Sequence, residues 1–254
     1  MMFGAPTRLR CLATVALSAL ACMARADQVN VAVAANFAVP FQRIAADFAL
    51  DTGHTAVPIV GSTRKFYAQI KAGAPFEVML AADGSTPRQL EDEGWVVKGS
   101  RFTYAKGKLV LWSAKVGFVD SQGDVLRHGV FARLALGDPK LAPYGAAAVE
   151  ALRALGLYER LAPKIVQGES IAQAQQFAAT GNAELAFLAQ SQVVQPDKPS
   201  AGSWWLVPET LYKPIVQDAA LLKKGQANVA AIALLRYMRS DKAKAVIKTY
   251  GYSL

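Results

Sequence analysis

Two strand-to-helix junctions hold the residues of this chain best suited to chemistry. One is Val31-Ala32-Val33-Ala34-Ala35-Asn36-Phe37, and the other is Gly61-Ser62-Thr63-Arg64-Lys65-Phe66-Tyr67-Ala68-Gln69-Ile70. A helix start carries N–H groups with no intrahelical acceptor and the positive end of the helix dipole, so two starts facing one cleft form an anion trap. The side chains at both junctions are neutral donors with little acid or base nearby, which points to capture of an anion and not to its conversion. Asn36 has two readings: it caps its own helix, or its amide NH2 donates into the cleft. Ser62 and Thr63 carry the same two readings, but two adjacent hydroxyls after a glycine exceed what capping requires and favour donation into the cleft. Tyr144, in Leu141-Ala142-Pro143-Tyr144-Gly145, either covers a turn or offers its N–H or hydroxyl to the cleft.

Nucleophilic catalysis does not assemble from these parts. Ser62 lacks a G-x-S-x-G setting. The two histidines, His54 and His128, sit in turn-like stretches and read as solvated loop residues. Asp138 in Gly137-Asp138-Pro139 reads as turn chemistry. There is no P-loop, G-x-G-x-x-G or H-E-x-x-H pattern. Both cysteines, Cys11 and Cys22, fall in a segment that reads as a removable leader, so disulfides, thiolate nucleophiles and cysteine-held metals are not expected after it.

That leader is residues 1–26. Arg8 and Arg10 form a basic start, Leu12 to Ala21 an apolar stretch too short for a permanent span, and Ala24-Arg25-Ala26 a cleavage site that would leave Asp27 first. Cys22 raises a lipoprotein reading, weakened by Ala19 where such signals usually carry Leu. The 254 residues less these 26 leave 228, enough for a sizeable core, and the net charge falls from +9 to +6 because the leader holds three Arg and no acid. The basic residues are scattered, so a mildly basic surface that attracts anions is expected and nucleic acid is not.

Strand and helix patterns alternate along the rest. Strands are expected at Val29–Ala34, Ala56–Val60, Phe76–Leu80, Leu109–Trp112, Phe131–Leu136, Leu185–Leu188, Trp204–Val207 and Ile215–Leu222. Helices are expected around Phe37–Phe48, Phe66–Ile70, Pro87–Glu93, Ala146–Leu155, from Ile171 to Ala178, and in one final segment carrying Ala230, Leu234 and Met238. Gln195–Ser203 reads as a loop. The alternation argues for an α/β protein with mainly parallel sheets flanked by helices. The pattern restarts near Tyr104, which suggests a second lobe: 27–106 is the first part of lobe 1, 107–212 is lobe 2, and 213–254 returns to lobe 1. Two chain crossings would make a hinge, with ligand in the cleft between the lobes.

The leader, Val33-Ala34-Ala35-Asn36-Phe37, the block from Gly61-Ser62-Thr63 through Gly73-Ala74-Pro75-Phe76 to Ala81-Ala82-Asp83, Leu136-Gly137-Asp138-Pro139 and the closing Tyr250-Gly251-Tyr252 together resemble the periplasmic molybdate-binding proteins of ABC transporters. The resemblance covers nearly the whole chain after the leader. It implies a type II periplasmic-binding-protein fold, with molybdate or tungstate held by neutral donors and delivered to an inner-membrane permease. It implies no catalysis, no cofactor, no protein-held metal and a monomer. Carried over by position, the ligand-binding residues are Ala35 through its backbone, Asn36, Ser62, Thr63, Tyr144 and the N–H of Ile171. Many relatives have Ser where Asn36 stands and Tyr where Ala189 stands. Arg64 replaces a usual Gly, and points either to solvent or to the anion. A bare dianion accepts hydrogen bonds and never donates them, which suits a site of N–H and O–H groups alone. A receptor for sulfate or another tetrahedral oxyanion is the alternative within the binding class, and a periplasmic enzyme acting on an anionic substrate is the alternative outside it.

Overall fold

The computed structural model describes residues 27–196 and 201–254. The leader reading lies outside the described residues, as does the middle of the Gln195–Ser203 loop. Among the described residues, ten strands form two five-stranded sheets. The first sheet holds β1 (Gln28–Ala34), β2 (Thr55–Gly61), β3 (Val78–Leu80) and β4 (Phe102–Gly107), and is completed late in the chain by β10 (Ile215–Leu221). The second holds β5 (Leu109–Ser113), β6 (Leu134–Gly137), β7 (Ile165–Gly168), β8 (Leu185–Ala189) and β9 (Ser203–Leu206). The orders are β2-β1-β3-β10-β4 and β7-β6-β8-β5-β9. Four strands of each sheet run in one direction and one runs against them: β10 pairs antiparallel with β3 and β4, and β5 pairs antiparallel with β8 and β9. Both sheets are therefore mixed, because strands that come straight from the other sheet need no crossover helix and enter in the opposite sense.

The helices follow the chain as α1 (Ala38–Thr52), α2 (Thr63–Lys71), α3 (Ser85–Asp92), α4 (Val125–His128), α5 (Pro143–Ala154), α6 (Tyr158–Leu161), α7 (Ile171–Ala179), α8 (Gln190–Val193), α9 (Val229–Tyr237) and α10 (Asp241–Thr249). α1 shows how sequence makes element here. Phe41, Ile44 and Phe48 lie on one stripe and are fully buried with the preceding Phe37. Pro40 falls in the first turn, where no intrahelical donor is lost. Gly53, at φ 73°, then ends the helix.

The elements differ from the sequence reading in several places: β6 starts at Leu134 and not at Phe131, the short helices α4, α6 and α8 were not expected, and four further differences have a clear cause. β3 starts only at Val78, since Phe76 reaches the core from a loop position. β4 was not foreseen: it pairs with a single strand and mixes Lys and Thr with its apolar residues, so it lacks a buried-strand pattern. α5 begins at Pro143, three residues before Ala146, and proline is well placed at a first helical position. The last segment is two helices, because the Ser240 hydroxyl accepts from the Ala243 N–H at 3.2 Å and starts α10 afresh.

The chain passes between sheets twice, through Lys108 alone and through the stretch from Leu206 to Ile215. Each sheet carries its own apolar clusters, but the largest one on the second sheet also takes in Ala34, Ala35 and Ala82 of the first. The two halves therefore meet along an apolar seam.

Candidate functional site

A small cavity opens on that seam where four helical segments begin. It is lined by Ala34, Ala35, Asn36, Gly61, Ser62, Thr63, Ala82, Ala142, Pro143, Tyr144, Ser170 and Ile171. All six residues singled out in the sequence are among them. The residues Ala35–Phe37 form a single 3-10 turn ahead of α1. Thr63 and Ile171 are the first residues of α2 and α7, and Tyr144 is the first residue of α5 that has an N–H, after Pro143. None of these helices supplies a carbonyl one turn back for those N–H groups. Four positive helix ends therefore converge on one small space, and among the described residues no Asp, Glu, Lys, Arg or His lines it.

The side chains sort themselves by their partners. Ser62 is 4 % exposed and its Oγ has no hydrogen-bond partner among the described residues. A buried orphan hydroxyl is unfavourable by itself, which marks Ser62 as a donor kept in reserve. Thr63 Oγ1 accepts from the Ala82 N–H at 3.0 Å, so its own proton stays available. Ser170 caps α7 by accepting from Gln173 N at 3.4 Å. Gln192 Nε2 donates to the Ile171 carbonyl at 3.1 Å, fixing the start of α7 from behind.

Of the two sequence readings of Asn36, the capping one fails. The residue caps nothing, and its amide nitrogen donates away from the cavity, to Gln217 Oε1 at 2.8 Å and to the Tyr252 hydroxyl at 2.9 Å. The Tyr144 hydroxyl likewise turns away, accepting from Gln217 Nε2 at 3.0 Å, so it is the helix-start N–H that Tyr144 brings to the cavity wall. Tyr104 donates to the Ala81 carbonyl and lies 3.0 Å from Gln217 Oε1. Ser191 and Tyr252 both reach the Asn36 carbonyl, at 2.8 and 2.9 Å. Burial pushes the Tyr104 and Tyr144 hydroxyls well above the usual tyrosine range and Tyr252 up to about 12, so all three keep their protons near neutrality. Sequence reasoning missed Gln217, Ser191 and Gly107. A Cβ on Gly107 would stand 1.8 Å from the Tyr144 oxygen, so only glycine leaves the hydroxyl its place.

The cavity is drawn tight, at about 10 Å³. Contacts close it from both lips. The Arg64 N–H donates to the Leu141 carbonyl at 3.2 Å, and Lys65 Nζ meets Glu169 Oε2 at 2.8 Å. Lys65 in turn holds the Glu169 carboxyl below its ordinary range. Arg64 is exposed and lines a separate outer groove of about 690 Å³, not the cavity. Ala189, where many relatives of the resembling family carry Tyr, is buried and not on the cavity wall.

Residues 29–253 match the model of a family described as bacterial extracellular solute-binding protein. The chain is 58 % identical over 235 residues to the molybdate-binding protein ModA of Azotobacter vinelandii, covering 92 % of this chain and 93 % of that one. It is 52 % identical over 233 residues to the molybdate-binding protein ModA of Rhodobacter capsulatus, covering 92 % and 91 %. Among solved structures, the periplasmic molybdate-binding protein of Azotobacter vinelandii superposes with a TM-score of 0.86 at 42 % identity, over 89 % of this chain and 99 % of that one.

Proposed function

Because the chain belongs to the bacterial extracellular solute-binding proteins, and within them to the ModA molybdate-binding proteins, we propose that its cavity captures molybdate, and tungstate with it, as cargo for an ABC transporter. The observation that carries this reading is the buried, unpartnered Ser62 hydroxyl at the meeting point of four helix starts, in a wall free of carboxylates. Molybdate at neutral pH is a dianion with four acceptor oxygens and no proton, so every donor there finds an acceptor and none meets a competing acid. In this reading Ser62 and Thr63 donate through their hydroxyls. Ala35, Thr63, Tyr144 and Ile171 donate through their N–H groups, and Asn36 completes the wall.

The Arg64–Leu141 and Lys65–Glu169 contacts close the cavity from both lips. Loading therefore requires the lobes to part and close again about the two crossings, Lys108 and the stretch from Leu206 to Ile215. Closure around cargo gives the permease a surface that exists only in the loaded form. The protein acts as a monomer and without chemistry on its cargo, and residues 1–26 direct export to the periplasm with cleavage after Ala26.

A thermal-shift series on ligand-free protein with molybdate, tungstate, sulfate and phosphate tests the reading. At a hundredfold excess over Kd, binding to the native state adds about 2.7 kcal/mol, or roughly 5–10 °C at this size. A rise confined to molybdate and tungstate supports the proposal. A rise with sulfate or phosphate instead overturns the choice of cargo, and no rise with any oxyanion overturns the function.

A further inference from the structure

Behind the cavity lies a closed polar cluster whose logic turns on one glutamine. Asn36, Tyr144, Ser191 and Gln217 are each at most 2 % exposed, with Tyr104 and Tyr252 at 3 % and 6 %. An asparagine amide has two N–H donors and one oxygen. Asn36 spends both donors inward, on Gln217 Oε1 and Tyr252, so only its oxygen is left for a third neighbour. Asn36 nonetheless lines the cavity, and an oxygen is the wrong end to show a dianion.

The two ends of an amide are nearly the same size, so it can be turned end for end without repacking. Asn36 cannot turn alone, because its Oδ1 would then face Gln217 Oε1 at 2.8 Å, acceptor against acceptor. If Gln217 turns with it, every group keeps a partner. Gln217 Nε2 then donates to Asn36 Oδ1 and to the Tyr104 oxygen, while Tyr104 keeps its proton on the Ala81 carbonyl at 3.0 Å. Gln217 Oε1 accepts from the Tyr144 hydroxyl, reversing the bond now 3.0 Å long. Tyr252 then donates to Asn36 Oδ1 across the contact now 2.9 Å long, and Ser191 keeps its proton on the Asn36 carbonyl at 2.8 Å. The cluster thus has two hydrogen-bond patterns of opposite polarity, and the second releases the Asn36 NH2 toward the cavity.

We propose that Gln217 is a positioning residue for the anion: a bound dianion draws the Asn36–Gln217 pair into the reversed pattern, in which Gln217 donates to Asn36 and Asn36 donates to the anion. This rests on the molybdate reading of the cavity. Gln217 suits the task because its side chain both gives and accepts, which no carboxylate or aliphatic side chain of that length does near neutrality. It lies on β10, beside a register shift between Gln217 and Asp218 opposite Tyr104, which sends Gln217 into the cluster while the next residue, Asp218, pairs with Arg101 at 2.7 Å.

The test is a double-mutant cycle of molybdate affinity with Asn36→Ala, Gln217→Met and both together. The wild type is measured first; no binding there overturns the molybdate reading and this inference with it. With wild-type binding in hand, each single variant is expected to weaken affinity about tenfold or more, the range for a hydrogen bond to a charged group. The double variant is expected to fall within about twofold of Asn36→Ala, because Gln217 acts only through Asn36. Losses that multiply, or a Gln217→Met protein that binds like the wild type, overturn the proposal. In case Gln217→Met does not fold, side-chain 15NH2 resonances of the wild type give a second reading. Molybdate should move the Asn36 and Gln217 pairs together, and a Gln217 pair that stays in place while the anion saturates overturns it.

Discussion

At the scale of single residues, Ser62 separates binding from stability. Its hydroxyl is buried with no partner of its own among the described residues, so Ser62→Ala removes a liability from the ligand-free protein and a donor from the loaded one. The expected result is a melting temperature unchanged or raised without anion. Molybdate affinity should weaken roughly 10- to 150-fold, the worth of a charge-assisted hydrogen bond. Calorimetric titration beside a melting curve checks both halves. Gly107→Ala should do the reverse. Its methyl would stand 1.8 Å from the Tyr144 oxygen, displacing that hydroxyl from Gln217 and destabilising the protein even without ligand. The place of Ser62 and Thr63 on the cavity wall was legible in the sequence, because adjacent hydroxyls after a glycine mark a helix start locally. Gln217 was not, since its partner Asn36 lies 181 residues away and nothing in Ile215–Leu221 distinguishes a buried glutamine from a solvated one.

Among the elements, those with a buried stripe or a buried run were readable and those defined by caps or partners were not. β1 and α1 could be drawn from Val29–Ala34 and the phenylalanine spacing. β4 depends on β10 for its existence, and β10 arrives more than a hundred residues later. The division between α9 and α10 depends on one hydroxyl, that of Ser240. Ser240→Ala should therefore lower stability by about 1 kcal/mol, the usual worth of such a cap. That corresponds to roughly 2–4 °C in melting temperature for a protein of this size. Molybdate affinity should not change, since α10 contributes nothing to the cavity wall. A loss of affinity in that variant would mean that α10 takes part in closure.

For the molecule as a whole, two charges and three hydroxyls set the conditions under which the lobes stay together. Lys65 and Glu169 face each other across the cleft in solvent, so their contribution is screened by salt. Lys65→Ala should speed anion release by less than about fivefold at low salt, and the difference should vanish near 1 M salt in stopped-flow measurements. Tyr104, Tyr144 and Tyr252 have raised pKa values in the folded state, the last about 12, against about 10 when unfolded. Below pH 10 both states hold these protons and the contribution is complete. Above it the unfolded chain releases them first, so stability should fall between about pH 10 and 12, as chemical denaturation across that range would show.

The Asn36–Tyr252 contact joins positions 216 residues apart. A ribosome adding about 5–20 residues per second takes roughly 10–40 s to travel that distance. During that interval Ser62 and the start of α2 have already been made, but the wall behind Asn36 has no Tyr252 to close it. On the proposed reading, a chain cut short before Tyr252 should fail to hold the anion, because the wall behind Asn36 stays open.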